Sequence, residues 1–255
     1  MKIAIILGTR PEIIKLSPII RLLQEQKKDF IIIHTNQHYS NEMDEVFFKE
    51  LLLPQPNYNL NIHGGNHGEM TGRMLIELEK ILLSERPDWV LVEGDTNTVL
   101  AGALTATKLG IKVGHIEAGL RSYDRTMPEE TNRVLADHVS TLLFCPTEKQ
   151  ATILFSEGIS KNSVFVTGNT IVDAVQQGIT IINSTNQFKA YSVSRYFLLT
   201  LHRPSNVDSK EVLSRILNAI SKIATEENKI VYFPVHPRTR QSLESFDISL
   251  PPNFV

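Results

Sequence analysis

The sequence predicts an α/β protein: a parallel sheet wound on both faces, followed by the opening of a second unit of the same kind. Two observations carry this expectation. Short β-branched runs bounded by Gly, Pro, Thr or Asp alternate with longer amphipathic stretches. The runs are nearly continuous in apolar residues, as strands are when helices cover both faces of their sheet. A third observation bears on function. The run "WVLVEGD" ends at Asp95 and "IKVGHIE" ends at Glu117, so two strands carry an acid at the tip. Ligands of such sheets gather outside the carboxyl ends of the strands, which is where both acids fall.

Taken in order, the strands are read at "KIAIIL" (2–7), "FIIIHT" (30–35), "WVLVEG" (89–94), "IKVGHIE" (111–117), "TLLFCP" (141–146) and "SVFVTG" (163–168). Helical stretches such as "TGRMLIELEKILLSERP" and "NTVLAGALTATKLG" separate them. After "VTGNTIVDA" comes a helical segment and then "NSTNQFKAYSVSRY" (183–196), whose Ser and Asn content reads as a linker. The alternation restarts with "YFLLTLH" (196–202), a helix over 209–228 and "KIVYFPVHP" (229–237). The expected division is therefore a Rossmann-like domain over 1–168 and the start of a second over 169–255. The second is expected to be incomplete, because two strands are too few to cover a sheet on both faces.

Bulk properties remove several classes of function. The chain has 255 residues, 42% hydrophobic and 21% charged, an ordinary globular balance. Its formal net charge of -2 argues against a general binder of nucleic acid or membrane surface, both of which need a basic field. No stretch reaches the roughly 18 apolar residues that span a bilayer, and Met1 leads directly into a strand, so a cytoplasmic protein is expected. Cys145, the single cysteine, sits in "LLFCPT" and reads as a buried thiol. His63 and His67 are four apart, but Gly64 and Gly65 point to a loop and no third ligand is evident, so no metal is expected.

The first strand runs into "LGTRPEIIKLSP", which lacks the glycine fingerprint of a dinucleotide site. Arg10 and Lys15 beside a helix N-terminus would suit a diphosphate. They would equally suit a solvated surface, with Lys15 opposite Glu12. Asp95, Thr96 or Asn97 could simply cap the following helix. Glu117 has no immediate helix to cap, and Glu129 and Glu130 stand in a first turn behind Pro128, where the helix dipole favours carboxylates. Three acidic sites after successive strands make a plausible cluster for proton transfer. In the second unit, "TLHRPSN" and "PVHPRTR" place His202, Arg203, His236 and Arg238 at strand tips, a pattern that fits anion binding.

Seven segments, "GTRPEIIKLSP", "TNQHYS", "EGDTNT", "GHIEAGLRS", "PEETNR", "VTGNTIVDA" and "LHRPSN", resemble in order and spacing the non-hydrolysing UDP-N-acetylglucosamine 2-epimerases. The resemblance implies two Rossmann-like domains of the GT-B type with the ligand in the cleft, and interconversion of UDP-N-acetylglucosamine and UDP-N-acetylmannosamine. It assigns Asp95, Glu117 and Glu129 as the acids of the reaction, His202 as the histidine of the His-Arg segment, and Arg10 and Lys15 as nucleotide-sugar contacts. It also implies a homodimer and no cofactor, since no hydride moves overall. The family's downstream segment that holds uridine, ribose and phosphate is not in this sequence. Two alternatives remain: a hydrolysing 2-epimerase that releases N-acetylmannosamine, and a non-catalytic fragment that binds nucleotide sugars.

Overall fold

A computed structural model describes residues 1–37, 41–185 and 195–255. Most of the Ser- and Asn-rich stretch read as a linker, and the last three residues of "TNQHYS", lie outside the described residues. The chain divides into two compact units, Met1–Gln187 and Phe188–Val255.

The first unit alternates strand and helix: β1 (Lys2–Leu7), α1 (Arg10–Glu25), β2 (Asp29–His34), α2 (Asn41–Glu50), β3 (Tyr58–Asn59), α3 (His67–Glu85), β4 (Trp89–Glu93), α4 (Asn97–Lys108), β5 (Lys112–Ile116), α5 (Pro128–Val139), β6 (Leu142–Cys145), α6 (Glu148–Ser156), β7 (Val164–Val166) and α7 (Thr170–Thr185). The strands form one sheet in the order β3-β2-β1-β4-β5-β6-β7, and every pairing is parallel. All six runs expected from the sequence of this unit are strands. The two-residue edge strand β3 was not expected, because it is too short to show a period.

The sheet is covered on both faces, and strand alternation decides which residue goes where. Ala4, Ile6, Ile31, Ile33, Val90 and Val92 pack under α3 and α4 with Met74, Leu78, Leu82 and Val99. Ile3, Ile5, Leu7 and Ile32 point the other way, onto Ile13, Leu16 and Ile20 of α1 and Phe48 of α2. Cys145 is fully buried, and burial pushes its thiol up to about 11, so it is inert packing. The helix α7 packs with this unit along α1, where Arg21 donates to Gln177.

The second unit contains β8 (Tyr196–Leu198), α8 (Pro204–Val207), α9 (Lys210–Glu226), β9 (Ile230–Tyr232) and α10 (Pro237–Ser245). β8 and β9 pair in parallel, and the chain returns so that Phe254 bridges to Val231. Val207, Leu213, Leu217, Phe233 and Leu243 form its core. Among the described residues no helix is long and apolar enough to cross a membrane.

One glycine beneath the carboxyl edge is required for space. The hydroxyls of Thr35, after β2, and Thr98, in α4, meet at 2.8 Å directly over Gly8, and a Cβ at Gly8 would collide with both. Gly8→Ala is therefore expected to cost about 1–3 kcal/mol in denaturant titration. Gly68→Ala, where a Cβ meets nothing within 4 Å, should cost nothing. Equal effects of the two would contradict this packing.

Candidate functional site

The strand order reverses between β1 and β4, since the chain leaves β1 toward β2 on one side and reaches β4 on the other. Loops leaving a sheet on either side of such a reversal splay apart and leave a crevice at the carboxyl edge. A cavity of about 260 Å³ lies there, lined by Thr9, Glu12 and Lys15 after β1, by Glu93 and Asp95 at the tip of β4, by His67 of α3 and by Glu129 and Asn132 of α5. A larger cavity of about 580 Å³ runs along the outer side of α5. Asp95 and Glu129 line only the smaller of the two, which makes it the candidate site.

Each acid reaches this edge for a local reason. Asp95 follows Gly94, whose φ of 87° turns the chain out of β4, and Thr96 caps α4 by accepting from the Val99 amide at 3.4 Å. Capping is thus done by Thr96, and the Asp95 carboxylate pairs instead with Arg133 of α5. Glu117 leaves β5 with φ 66°, a left-handed conformation that costs a side-chain-bearing residue about 1–3 kcal/mol. Lys15 Nζ, at 2.6 Å, and Asn169 Nδ2, at 3.2 Å, both donate to its Oε2. Glu129 is partly exposed to the cavity. Its neighbour Glu130 is buried and accepts from the Ser122 and Tyr123 amides at 2.9 Å. Burial works against the Glu130 charge, but these amides and Arg133 outweigh it and hold the carboxyl below the ordinary range. Of the acid pair after Pro128, Glu129 is thus the one facing the cavity.

The cations are arranged less simply. Arg10 is the first residue of α1 and half-buried. Lys15 does not pair with Glu12. Its ammonium lies between Glu117 and Glu93, 3.0 Å from Glu93 Oε1. Burial lowers the proton affinity of Lys15, but the two carboxylates outweigh this and raise its pKa. His202 belongs to the second unit, where its ring lies 5.6 Å from that of His236. The two strand tips of that unit therefore lie side by side. Arg238, however, is held by Asp208 at 2.6 and 2.9 Å.

Several residues of the site were not singled out by the sequence. Glu12 is 2% exposed and accepts from the Gly8 amide at 2.5 Å, the Thr9 amide at 2.9 Å and the Thr96 hydroxyl. It thereby ties the loop after β1 to the loop after β4. Burial pushes its carboxyl up to about 7, against the pull of those donors. Glu93 is raised well above the carboxylate range, first by burial and then by Glu117 and Glu12, while Lys15 pulls the other way. His115 is fully buried between Asp137 Oδ1 at 2.7 Å and the Gly94 carbonyl at 2.8 Å. Arg121 donates to Asp137 at 2.7 Å and to Glu157 at 2.6 and 2.8 Å. His67 opens α3 beside Asn97 at 3.2 Å. Among the described residues no group of three or more His, Cys, Asp or Glu side chains is placed to hold a metal ion.

A crevice lined by acids at the switch point of a parallel sheet suits proton transfer on an anionic ligand, and the chain's relatives narrow this further. The family model for UDP-N-acetylglucosamine 2-epimerase matches residues 21–253. The chain belongs to this family. The UDP-N-acetylglucosamine 2-epimerase of Methanocaldococcus jannaschii is 58% identical over 253 residues, covering 97% of this chain and 69% of its own length. The crystal structure of the M. jannaschii epimerase in complex with UDP-GlcNAc and UDP matches with a TM-score of 0.84, over 97% of this chain and 69% of that one. The UDP-2,3-diacetamido-2,3-dideoxy-D-glucuronate 2-epimerase of Pseudomonas aeruginosa is 43% identical, covering 98% of this chain and 71% of its own. The fold is accordingly the GT-B-like α/β fold of these epimerases, with part of the second Rossmann-like domain in this chain.

Glu12 gives this epimerase site a pH signature. Its folded pKa of about 7 lies above the ordinary 4.5, so the folded state holds the proton more tightly. The stability this contributes is complete below pH 4.5 and is lost as pH rises through about 7. Urea titrations at pH 5 and pH 8 should show Glu12→Gln losing less stability than wild type over that interval, by on the order of 2–3 kcal/mol. Identical losses in the two proteins would place the Glu12 pKa outside the interval.

Proposed function

We propose that this chain carries out the reaction for which its family is named, interconverting UDP-N-acetylglucosamine and UDP-N-acetylmannosamine without hydrolysis. One observation carries the reading: Asp95 and Glu129 line the switch-point cavity and Glu117 pairs with Lys15 of its lining, in a chain 58% identical to an epimerase whose crystal structure holds UDP-GlcNAc and UDP.

The chemistry explains why acids and cations share this edge. Carbon 2 of the sugar has no adjacent carbonyl, so its proton is too weakly acidic for simple removal and return. Breaking the C1–O bond changes this. The bonding pair leaves with UDP, positive charge develops at C1 and the ring oxygen, and the C2 proton becomes removable by a carboxylate. The product is 2-acetamidoglucal plus UDP. In the return step a diphosphate oxygen re-forms the bond to C1 and a carboxylic acid delivers the proton to the other face of C2. Atoms and electrons balance with no oxidant. Asp95, Glu117 and Glu129 hold and return the proton and oppose the positive charge, while Arg10 and Lys15 oppose the charge growing on the diphosphate. In functional terms the acids and Arg10 and Lys15 belong to a domain over 1–168, and His202 to one over 169–255. The protein acts in the cytoplasm as a homodimer.

Incubation of the purified protein with UDP-N-acetylglucosamine, followed by NMR, should show UDP-N-acetylmannosamine. Free N-acetylmannosamine with UDP would instead identify a hydrolysing enzyme, and binding of UDP without any conversion would identify a non-catalytic binder. Glu117→Gln and Asp95→Asn keep side-chain shape and remove proton transfer. Each is expected to lower kcat by about 10²–10⁴-fold with UDP affinity within a few fold. Near-normal turnover in both would make these acids structural.

A further inference from the structure

Glu93 is an acid that the mechanism above does not use. It ends β4, is 1% exposed and lines the strand-tip cavity. A carboxyl buried at the end of an apolar strand is costly unless something holds it. Lys15 holds it: the Nζ, carried in from the second turn of α1, stands 3.0 Å from Glu93 Oε1 and 2.6 Å from Glu117 Oε2. The Lys15 side chain is 22% exposed, so this contact is largely shielded from water. Lysine is a long side chain with about 2 kcal/mol of rotamer entropy, and a single partly exposed partner would leave its ammonium free to move. Two carboxylates on opposite sides fix its position. Glu117 needs such a fixed donor, because its left-handed backbone sets the direction of the side chain without locking its rotation.

We propose that Glu93 is a positioning residue for the epimerisation: by anchoring the Lys15 ammonium, it fixes the Glu117 carboxylate against the sugar. This rests on the reading that Glu117 transfers a proton during the reaction. The charged groups facing Glu93 are Lys15 and Glu12 from α1 and Glu117 from the tip of β5. Together with Glu93 they make one cation among three acids, an arrangement that keeps Lys15 charged and in place. The contact is close without hydrogen-bond geometry, since Glu93 Oε1 has no hydrogen-bond partner, so what the anchor supplies is a negatively polarised oxygen 3.0 Å from the ammonium.

The test compares Glu93→Leu with Glu93→Gln. Leucine fills a similar volume without the oxygen, and replacing a buried ionisable group by an apolar one is commonly neutral or stabilising. Glu93→Leu is therefore expected to keep or raise Tm while lowering kcat about 10–100-fold with KM within about twofold. Glu93→Gln should recover most of the loss. Added to Lys15→Met, Glu93→Leu should have no further effect on kcat, since both act through one contact. A readout independent of turnover is the acetylation of Lys15 by an N-hydroxysuccinimide ester, followed by mass spectrometry. It should be slow in wild type and several-fold faster in Glu93→Leu. Unchanged kcat or unchanged Lys15 reactivity in Glu93→Leu, or losses that multiply with Lys15→Met, would overturn the proposal while leaving the epimerase reading intact. Absence of UDP-N-acetylmannosamine with the wild-type protein would overturn both.

Discussion

The site depends on a buried histidine, held between two oxygens. His115 has no exposure, and each of its ring nitrogens faces an oxygen acceptor, the Asp137 carboxylate on one side and the Gly94 carbonyl on the other. A neutral imidazole can donate to only one of these. The other contact would set a nitrogen lone pair against an oxygen lone pair in a place without water. Protonation removes that conflict. Burial disfavours the charge, but Asp137 and the Gly94 carbonyl outweigh it and raise the pKa of His115. Asp137 is held below its usual range by His115 and Arg121 in spite of its own burial. With Glu157 on the far side of Arg121, two cations face two anions and the network is balanced.

Three contacts of this network stand close in the chain to catalytic candidates or on the same helix as one. The Gly94 carbonyl immediately precedes Asp95. The Gly119 amide, which donates to Asp137 at 3.1 Å, lies two residues past Glu117. Asp137 is on α5, the helix that carries Glu129 at its start and the Arg133 that grips Asp95. The tips of β4 and β5 and the helix α5 are thus held in one register by a set of buried charges, and the catalytic candidates stand at the ends of those elements. The same division explains why Glu117 can adopt a strained backbone. A strained turn persists only where its surroundings over-determine it, and here Lys15, Asn169 and the Gly119 anchor do so.

Much of this was legible in the sequence, for a definite reason. Strand period and helix period are local properties, so the strands of the large sheet were readable, and Asp95 and Glu117 stood out as acids ending apolar runs. Glu129 could be separated from Glu130 only by family resemblance, because both sit in the same first turn and only tertiary packing takes Glu130 to the Ser122 and Tyr123 amides. The pairing of Lys15 with Glu12 that the sequence offered does not form, because its actual carboxylates lie 78 and 102 positions away, beyond the reach of a local pattern. His115 carried a faint signal, a histidine inside a buried strand. Its meaning required Asp137, which helix periodicity alone does not bring beneath β5. Glu12 was hidden by its neighbours, since a glutamate in a first turn already has a sufficient reason to be there.

The claim that a buried imidazolium sets the geometry of the acids is tested most directly by NMR of the His115 ring nitrogens in protein labelled with ¹⁵N-histidine. The account predicts that at pH 8 both nitrogens of His115 still carry protons, each with a slowly exchanging N–H resonance. A His115 with one bare nitrogen at that pH would contradict it, because the Gly94 carbonyl or Asp137 would then lack its donor and the register of the two strand tips would need another cause.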